Sequence, residues 1–337
     1  MTATGAAHPH DGGRHEGRDE LERAMLGETP SLTGDQVADG AGMSLDEAQR
    51  LWRALGFPDT GNDVAFTSED QHALALVRKS VEGGALDLET VIRLTRALGN
   101  TMARLADWEV ATLAQVVEER AAEDHESRLT SALALGQTVA PAFEQLLVYA
   151  WRRHLAAAVA RVESLGAADA DLLNTVLTVG FADLVSFTAL SNGLDDDRLA
   201  ELVEVFESRC ADIVAGAGGR VIKTLGDSVL FVAEDPVAAV GIALDIVEAI
   251  GPDTSLPDVR VGLATGTVIS RLGDVFGPPV NIAARLTTVA RRNRVIVDEP
   301  TAAAMPEEEF ETRTLPARPM RGLGVVEPIT VRRRWAF

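Results

Sequence analysis

Residues 221–231, VIKTLGDSVLF, constrain the fold more than any other stretch of the chain. Two apolar runs flank Thr-Leu-Gly-Asp, a pattern that predicts two short strands joined by a tight turn. Gly226 supplies the backbone freedom the turn requires, and Asp227 then stands at its edge. Lys223 lies four residues before that aspartate, next to the first run. Residues 178–188 (TVGFADLVSFT) have the same form: an apolar strand ending in a carboxylate, Asp183. Carboxylates at the ends of two neighbouring strands suit a pair of hard divalent cations. They are equally common as surface turn residues, so the surroundings must decide.

At 337 residues the chain exceeds one usual domain, and its pattern changes character once. Residues 1–20 lack periodicity and are rich in Gly, His and charge, the composition of a flexible tail. From 21 to 155 apolar residues recur at three- and four-residue spacing, the signature of an all-helical domain. Thr33 opens a short helix, Ser44 with Glu47 forms a capping box before AQRLWRALG, and Thr67 or Ser68 caps the next helix beyond Pro58. The two helices within 33–55 have helix-turn-helix proportions. A long Ala-rich helix follows from 128, and residues 156–172 read as a helical linker into a second domain, 173–337.

In that second domain NTVLTVGFADL predicts a strand and DDDRLAELVEVFESRCADIVAGAG an amphipathic helix. The hairpin at 221–231 follows, then DPVAAVGIALDIVEAIG as a helix and VRVGLATGTVIS as a strand. Strand-helix-strand-strand-helix-strand is a ferredoxin-like order, with one antiparallel sheet and helices on one face. The expected fold class is therefore α+β, an all-helical domain followed by a ferredoxin-like one with extra C-terminal elements. PPVNIAARLTTVAR reads as a helix with proline in its first turn, which sets Asn281 and Arg285 four apart on one face.

The formal net charge of -20 argues against a binder of nucleic acid or anionic membranes. It does not exclude one nucleotide, because a few Lys and Arg can reverse the field within a cleft. The helix-turn-helix reading, a transcription regulator with an attached sensor, is weakened by the same acidity and by the lack of a basic recognition helix. Cys210, the single cysteine, falls in a helical pattern and reads as packing. With no apolar stretch after Met1 and no run near 18 apolar residues, the expectation is a soluble, cytoplasmic protein. His8, His10, His15, His72, His125 and His154 read as surface or interface residues, with weak metal binding by the first three and proton sensing as the alternatives.

Three blocks in order, FADLVSFT, IKTLGDSVLF and GDVFGPPVNIAARL, make residues 173–335 resemble the class III nucleotide cyclase catalytic domain. The helical part is similar to the regulatory domain of soluble actinobacterial adenylyl cyclases that respond to pH, on LTGDQVADGAGMS, LWRALGFP and the domain order. The resemblance implies a head-to-tail homodimer with its active sites at the interface. Asp183 and Asp227 of one subunit would hold two divalent cations per site, Mg²⁺ or Mn²⁺. The other subunit would contribute Lys223 and Asp274 to the adenine edge of ATP, Asn281 to the ribose or α-phosphate, and Arg285 to the phosphates. Arg321 falls near a further phosphate-contacting position where the family more often has lysine. Pro278 and Pro279 stand where it usually has small polar residues.

The side-chain chemistry agrees in kind. Ring closure needs the ribose 3'-oxygen as nucleophile, and oxygen ligands suit the cations that activate it. Backbone amides after Asp183, close to a predicted helix start, are candidates for the polyphosphate. Adenine offers an acceptor at N1 and a donor at its 6-amino group, which a lysine and an aspartate match; guanine reverses that edge and leaves both groups badly paired. Lys223 with Asp274 thus favours ATP over GTP. A non-catalytic nucleotide sensor is disfavoured because neither metal aspartate is missing. Protonation of the helical domain is expected to release an inhibited catalytic dimer, the rival being a domain that merely stabilises the dimer.

Overall fold

The computed structural model describes residues 20, 22–124, 127–164, 174–271 and 273–334. The expected tail up to residue 19, with His8, His10 and His15, lies outside the described residues, as do His125 and positions 165–172 of the expected linker. Packing divides the chain into two units, Met1–Val159 and Ala160–Phe337.

The first unit is helical because its caps and apolar stripes agree. Thr33 and Gln36 exchange capping hydrogen bonds at the start of α1 (Gly34–Ala41), and Ser44 and Glu47 do so for α2 (Leu45–Leu55). Thr67, rather than Ser68, caps α3 (Ser68–Glu82), in a box with Asp70. Each box satisfies backbone donors that a helix start leaves open. Gly42 and Gly56 end α1 and α2 in the left-handed region. The apolar faces meet in a core of Val37, Leu51, Trp52, Phe66, Leu74 and Ile92, with the Trp52 and Phe66 rings stacked 4.3 Å apart. On α2, the helix of recognition proportions, Arg50 is ion-paired with Glu89. Two 37-residue helices follow, α4 (Leu88–Asp124) and α5 (Arg128–Ser164), the latter with Pro141 inside it. His72 and His154 are exposed.

The second unit is built on an eight-stranded sheet. Its strands are β1 (Asn174–Leu184), β2 (Arg220–Thr224), β3 (Ser228–Ala233), β4 (Val259–Arg271), β5 (Asp274–Phe276), β6 (Arg294–Val297), β7 (Phe310–Thr314) and β10 (Ile329–Arg333). They lie in the order β2-β3-β1-β4-β6-β10-β7, with β5 folded back onto β4. Between them run α6 (Phe187–Ser191), α7 (Asp196–Gly216), α8 (Pro236–Ile250), α9 (Pro278–Val289) and α10 (Glu299–Ala303). A separate hairpin pairs β8 (Arg318–Met320) with β9 (Gly324–Val326).

Strand residues alternate between two cores, as the two-residue period of a pleated sheet requires. Ala182, Leu184, Phe231, Val261 and Leu263 face α7 and α8, packing with Phe206, Cys210, Ile242 and Ile246. Leu177, Val179, Leu230, Ala264 and Val268 face the other way and pack with Ala283 of α9. Cys210 is fully buried, and burial, with the Glu207 charge, pushes its thiol up to about 12.

This corrects the expectation of an antiparallel sheet with helices on one face. β4 and β6 are parallel. Parallel neighbours need a crossover connection, and α9 provides it across the face opposite α7 and α8. Gly262 permits the approach, because a Cβ there would lie 2.4 Å from the Thr287 amide nitrogen and 2.6 Å from the Ala283 carbonyl oxygen. Pro278 and Pro279 belong to the first turn of α9 rather than to a loop, where a missing N–H is tolerated.

Candidate active site

Strands β1, β3 and β4 and the turn between β2 and β3 position the first cluster. Asp183, near the end of β1, lies opposite Ser228 of β3 on one side and Arg260 of β4 on the other. Its Oδ1 accepts a hydrogen bond from the Ser228 hydroxyl. Its Oδ2 accepts from Arg260 Nε at 2.8 Å and pairs with Arg260 Nη2 at 2.6 Å. Asp227 follows Gly226, whose φ of 67° is the left-handed turn conformation anticipated from the sequence. The Asp227 carbonyl accepts from the Leu184 amide, which fastens the turn beside the end of β1. Burial raises the Asp227 carboxyl above its ordinary range, and the charge of Asp183 raises it further, against its own backbone amide and Arg260.

A carboxylate whose ionisation is opposed by burial and by a neighbouring carboxylate forms a natural site for added positive charge, and Asp183 and Asp227 both present hard oxygen donors. The residues present therefore fit divalent cations of the Mg²⁺ or Mn²⁺ class. Among the described residues no group of three or more His, Cys, Asp and Glu side chains converges on a metal position.

The second cluster is an ion pair. Lys223 Nζ on β2 lies 2.5 Å from Asp274 Oδ2 on β5, with both side chains partly exposed. Asp274 Oδ1 also accepts from the Val275 amide at 2.8 Å. Burial pushes the Asp274 carboxyl up, but the Lys223 hydrogen bond, the Val275 amide and the Lys223 charge outweigh it and hold it below the usual carboxylate range. A register shift between Val221 and Lys223 marks a bulge in β2 just before the lysine. Bulges re-aim side chains.

Asn281 and Arg285 are exposed, one turn apart on α9, away from the buried Ala283 and Leu286. Arg321 is exposed in the turn between β8 and β9. Among the described residues no hydrogen bond joins the Asp183–Asp227 cluster to Lys223, Asp274, Asn281, Arg285 or Arg321.

The amides expected to hold polyphosphate are corrected in part. Leu184 N donates to Asp227 O, and Val185 N donates to Asp258 O at 2.7 Å, so these first two amides are already bonded. Ser186 carries a positive φ of 62°, rare for a residue with a side chain. Arg260 was not anticipated. The signal was an arginine in phase with Gly262 and Ala264 in VRVGLATG, on a strand otherwise closely packed.

Residues 173–331 match the family described as the adenylate and guanylate cyclase catalytic domain. Over 93% of its length the chain is 40% identical to an adenylate cyclase of Streptomyces coelicolor, covering 89% of that protein. It is 38% identical over the same share to an adenylate cyclase of Streptomyces griseus, covering 88% of it. A pH-sensitive adenylate cyclase of Mycobacterium tuberculosis is 30% identical over 92% of this chain and 82% of its own length.

Proposed function

The chain belongs to the adenylate cyclases of the class III nucleotide cyclase family, and from that membership we propose that it converts ATP to 3',5'-cyclic AMP and pyrophosphate at sites shared between two copies in a head-to-tail dimer. The observation that carries the reading is the Lys223–Asp274 pair, a donor and an acceptor held together at 2.5 Å. In the complex the lysine donates to adenine N1 and the aspartate accepts from the 6-amino group. Guanine would leave both groups badly paired, at about 1–3 kcal/mol for each unmet buried partner.

Asp183 and Asp227 would hold two divalent cations. When bound, such ions lower the pKa of the ribose 3'-hydroxyl and neutralise phosphate charge. The 3'-oxygen then bonds to the α-phosphorus while the bond to the bridging oxygen breaks, and pyrophosphate leaves with that electron pair. The hydroxyl proton passes to solvent. Asn281 would orient the ribose or α-phosphate from the partner subunit. Arg285, one turn on, would direct a planar fork of donors at the phosphates. Arg321 would add a further charge there. The absence, among the described residues, of any hydrogen bond from Asp183 or Asp227 to Lys223, Asp274, Asn281, Arg285 or Arg321 is compatible with a shared site.

Incubation with ATP or GTP and Mn²⁺ tests the function, with cyclic nucleotide and pyrophosphate quantified together. ATP is the expected substrate, and Asp227→Ala abolishes turnover. Stoichiometric cyclic GMP from GTP, with none from ATP, would reverse the base assignment.

We also propose that the helical unit controls the rate in response to pH, a reading supported by the likeness to the pH-sensitive relative along most of both chains. A site shared between subunits tolerates little misalignment, so helical packing acts on it steeply. The rate against pH for the full chain is compared with that of a chain starting at residue 160. Superimposable profiles would refute this regulation. Among the described residues no helix is long and apolar enough to cross a membrane.

A further inference from the structure

We propose that Asp298 is a positioning residue for the base-reading carboxylate: it holds β4 where neither β6 nor β5 covers that strand, and so fixes how Asp274 is presented. The proposal rests on the cyclase reading and deepens it by naming what sets the placement of one substrate contact.

β1 pairs with β4 along one edge, from Val259 to Ile269. On the other edge β6 covers β4 from Arg260 to Leu263, and β5 covers it from Ile269 to Arg271. Between those two ladders, at 264–268, no described strand lies beside that edge. Asp298, the first residue after β6, stands at this break. Its amide donates to the Leu263 carbonyl at 3.1 Å, and both of its carboxylate oxygens accept from the Thr265 amide at 3.3 Å. The side chain thus adds one rung to the ladder after the strand has ended.

Capping a helix does not by itself explain a carboxylate here. Oδ1 accepts from the Thr301 amide at 3.0 Å and from the Thr301 hydroxyl at 2.5 Å, which starts α10. Serine or asparagine would serve that purpose. Burial pushes the Asp298 carboxyl above its ordinary range even against its hydrogen bonds, so a charge here is costly to keep. What a carboxylate adds is a second acceptor oxygen facing Thr265. It also orders the hydroxyls around it. Thr301 spends its one proton on Asp298, so it accepts from the Thr265 hydroxyl at 2.7 Å, which in turn accepts from Thr178 of β1 at 2.8 Å. One chain of donors therefore ties β1 and β4 to α10.

Beyond this point β4 leads to the substrate side. At the next residue, Gly266, a Cβ would lie 3.0 Å from Pro279 Cγ in the first turn of α9. Asn281 and Arg285 follow on that helix, and Asp274 sits on β5. A shift of β4 at Thr265 is passed to all three, and most directly to Asp274, because β5 pairs with β4 alone among the described strands.

Asp298→Asn in the full chain tests this. Thr301 fixes the amide oxygen, so the cap on α10 is kept while the side-chain NH2 faces the Thr265 N–H, donor against donor. Purine ribonucleoside triphosphate differs from ATP only in lacking the 6-amino group, so the ratio of kcat/KM for the two substrates reads the Asp274 contact. That ratio is expected to fall about tenfold in the variant, as for loosening one hydrogen bond to a charged group. In hydrogen exchange, peptides covering the end of β4 and β5 exchange faster, and those of α10 do not. An unchanged ratio in the folded variant, with both substrates slowed alike or not at all, overturns the proposal. If Asp298→Asn does not fold by circular dichroism, Asp298→Ser replaces it; its hydroxyl caps α10 but is too short for Thr265, and the same fall is expected. A wild-type chain that makes no cyclic nucleotide would sink the cyclase reading, while faster exchange in the variant would leave the anchor on β4 standing. A wild-type chain that cyclises ATP, with exchange and ratio both unmoved by the substitution, would do the reverse.

Discussion

Mixing chains that carry Asp183→Ala with chains that carry Lys223→Ala separates a shared site from one built within a single chain. Asp183 is held by Ser228 and Arg260, whereas Lys223 is held by Asp274, and no hydrogen bond connects the two sets among the described residues. In a head-to-tail dimer of each variant alone, both sites are damaged. Asp183→Ala removes half of the carboxylate pair and leaves no measurable turnover. Lys223→Ala loses one charge-assisted hydrogen bond, about 1.5–3 kcal/mol, or roughly ten- to a hundredfold in rate. When equal amounts reassort at random, about half of the dimers are mixed. Each mixed dimer has one doubly damaged site and one site with intact carboxylates facing an intact Lys223–Asp274 pair. The mixture therefore reaches about a quarter of wild-type activity, several times what either variant gives alone. The assay is cyclic AMP formed per minute at saturating ATP and Mn²⁺, before and after a dissociation and reassociation step. Activity equal to the mean of the two variants would refute the shared site.

Three further outcomes follow from the geometry. Because burial and Asp183 raise the Asp227 carboxyl, the folded chain holds that proton more tightly than the unfolded chain. The resulting stability is complete below the ordinary carboxylate pKa and is lost as pH rises through the folded value. Asp227→Asn should therefore melt higher than wild type at neutral pH in chelator, and the difference should close near about pH 4. Gly262→Ala forces a methyl between β4 and α9 and should cost about 1–3 kcal/mol in denaturant unfolding. It should also lower turnover, because α9 carries Asn281 and Arg285. Lys223→Ala alone should lower kcat/KM for ATP by roughly ten- to a hundredfold and leave the slow GTP rate nearly unchanged; an unaltered ATP-to-GTP ratio would remove Lys223 from base reading.

What was legible in the sequence was local. The helix start at Thr33 and the capping box at Ser44 need only a few consecutive residues each, and the turn at Gly226 needs one backbone conformation. The positions of Asp183 at the end of a strand and of Asp227 at the edge of the turn were legible for the same reason. Strand direction was not, because the parallel pairing of β4 with β6 depends on where α9 finds a surface. Arg260 was hidden for a related reason. Within VRVGL it looks like the solvent-facing member of an alternating strand, and its partner lies 77 residues earlier. The Lys223–Asp274 contact spans 51 residues and entered only through the family resemblance.

The strand order also bears on how the protein is made. β10, formed by the last described strand residues, does not add to an edge; it slots between β6 and β7. Until the ribosome releases that segment, β6 has an open edge and β7 has no neighbour to join. Arg333, at the end of β10, then reaches Asp245 and Glu248 on α8. A nascent chain, or one cut short by a stop codon, would present two unpaired strand edges of the kind that draw other chains into aggregates. The sheet therefore closes only once β10 has been made.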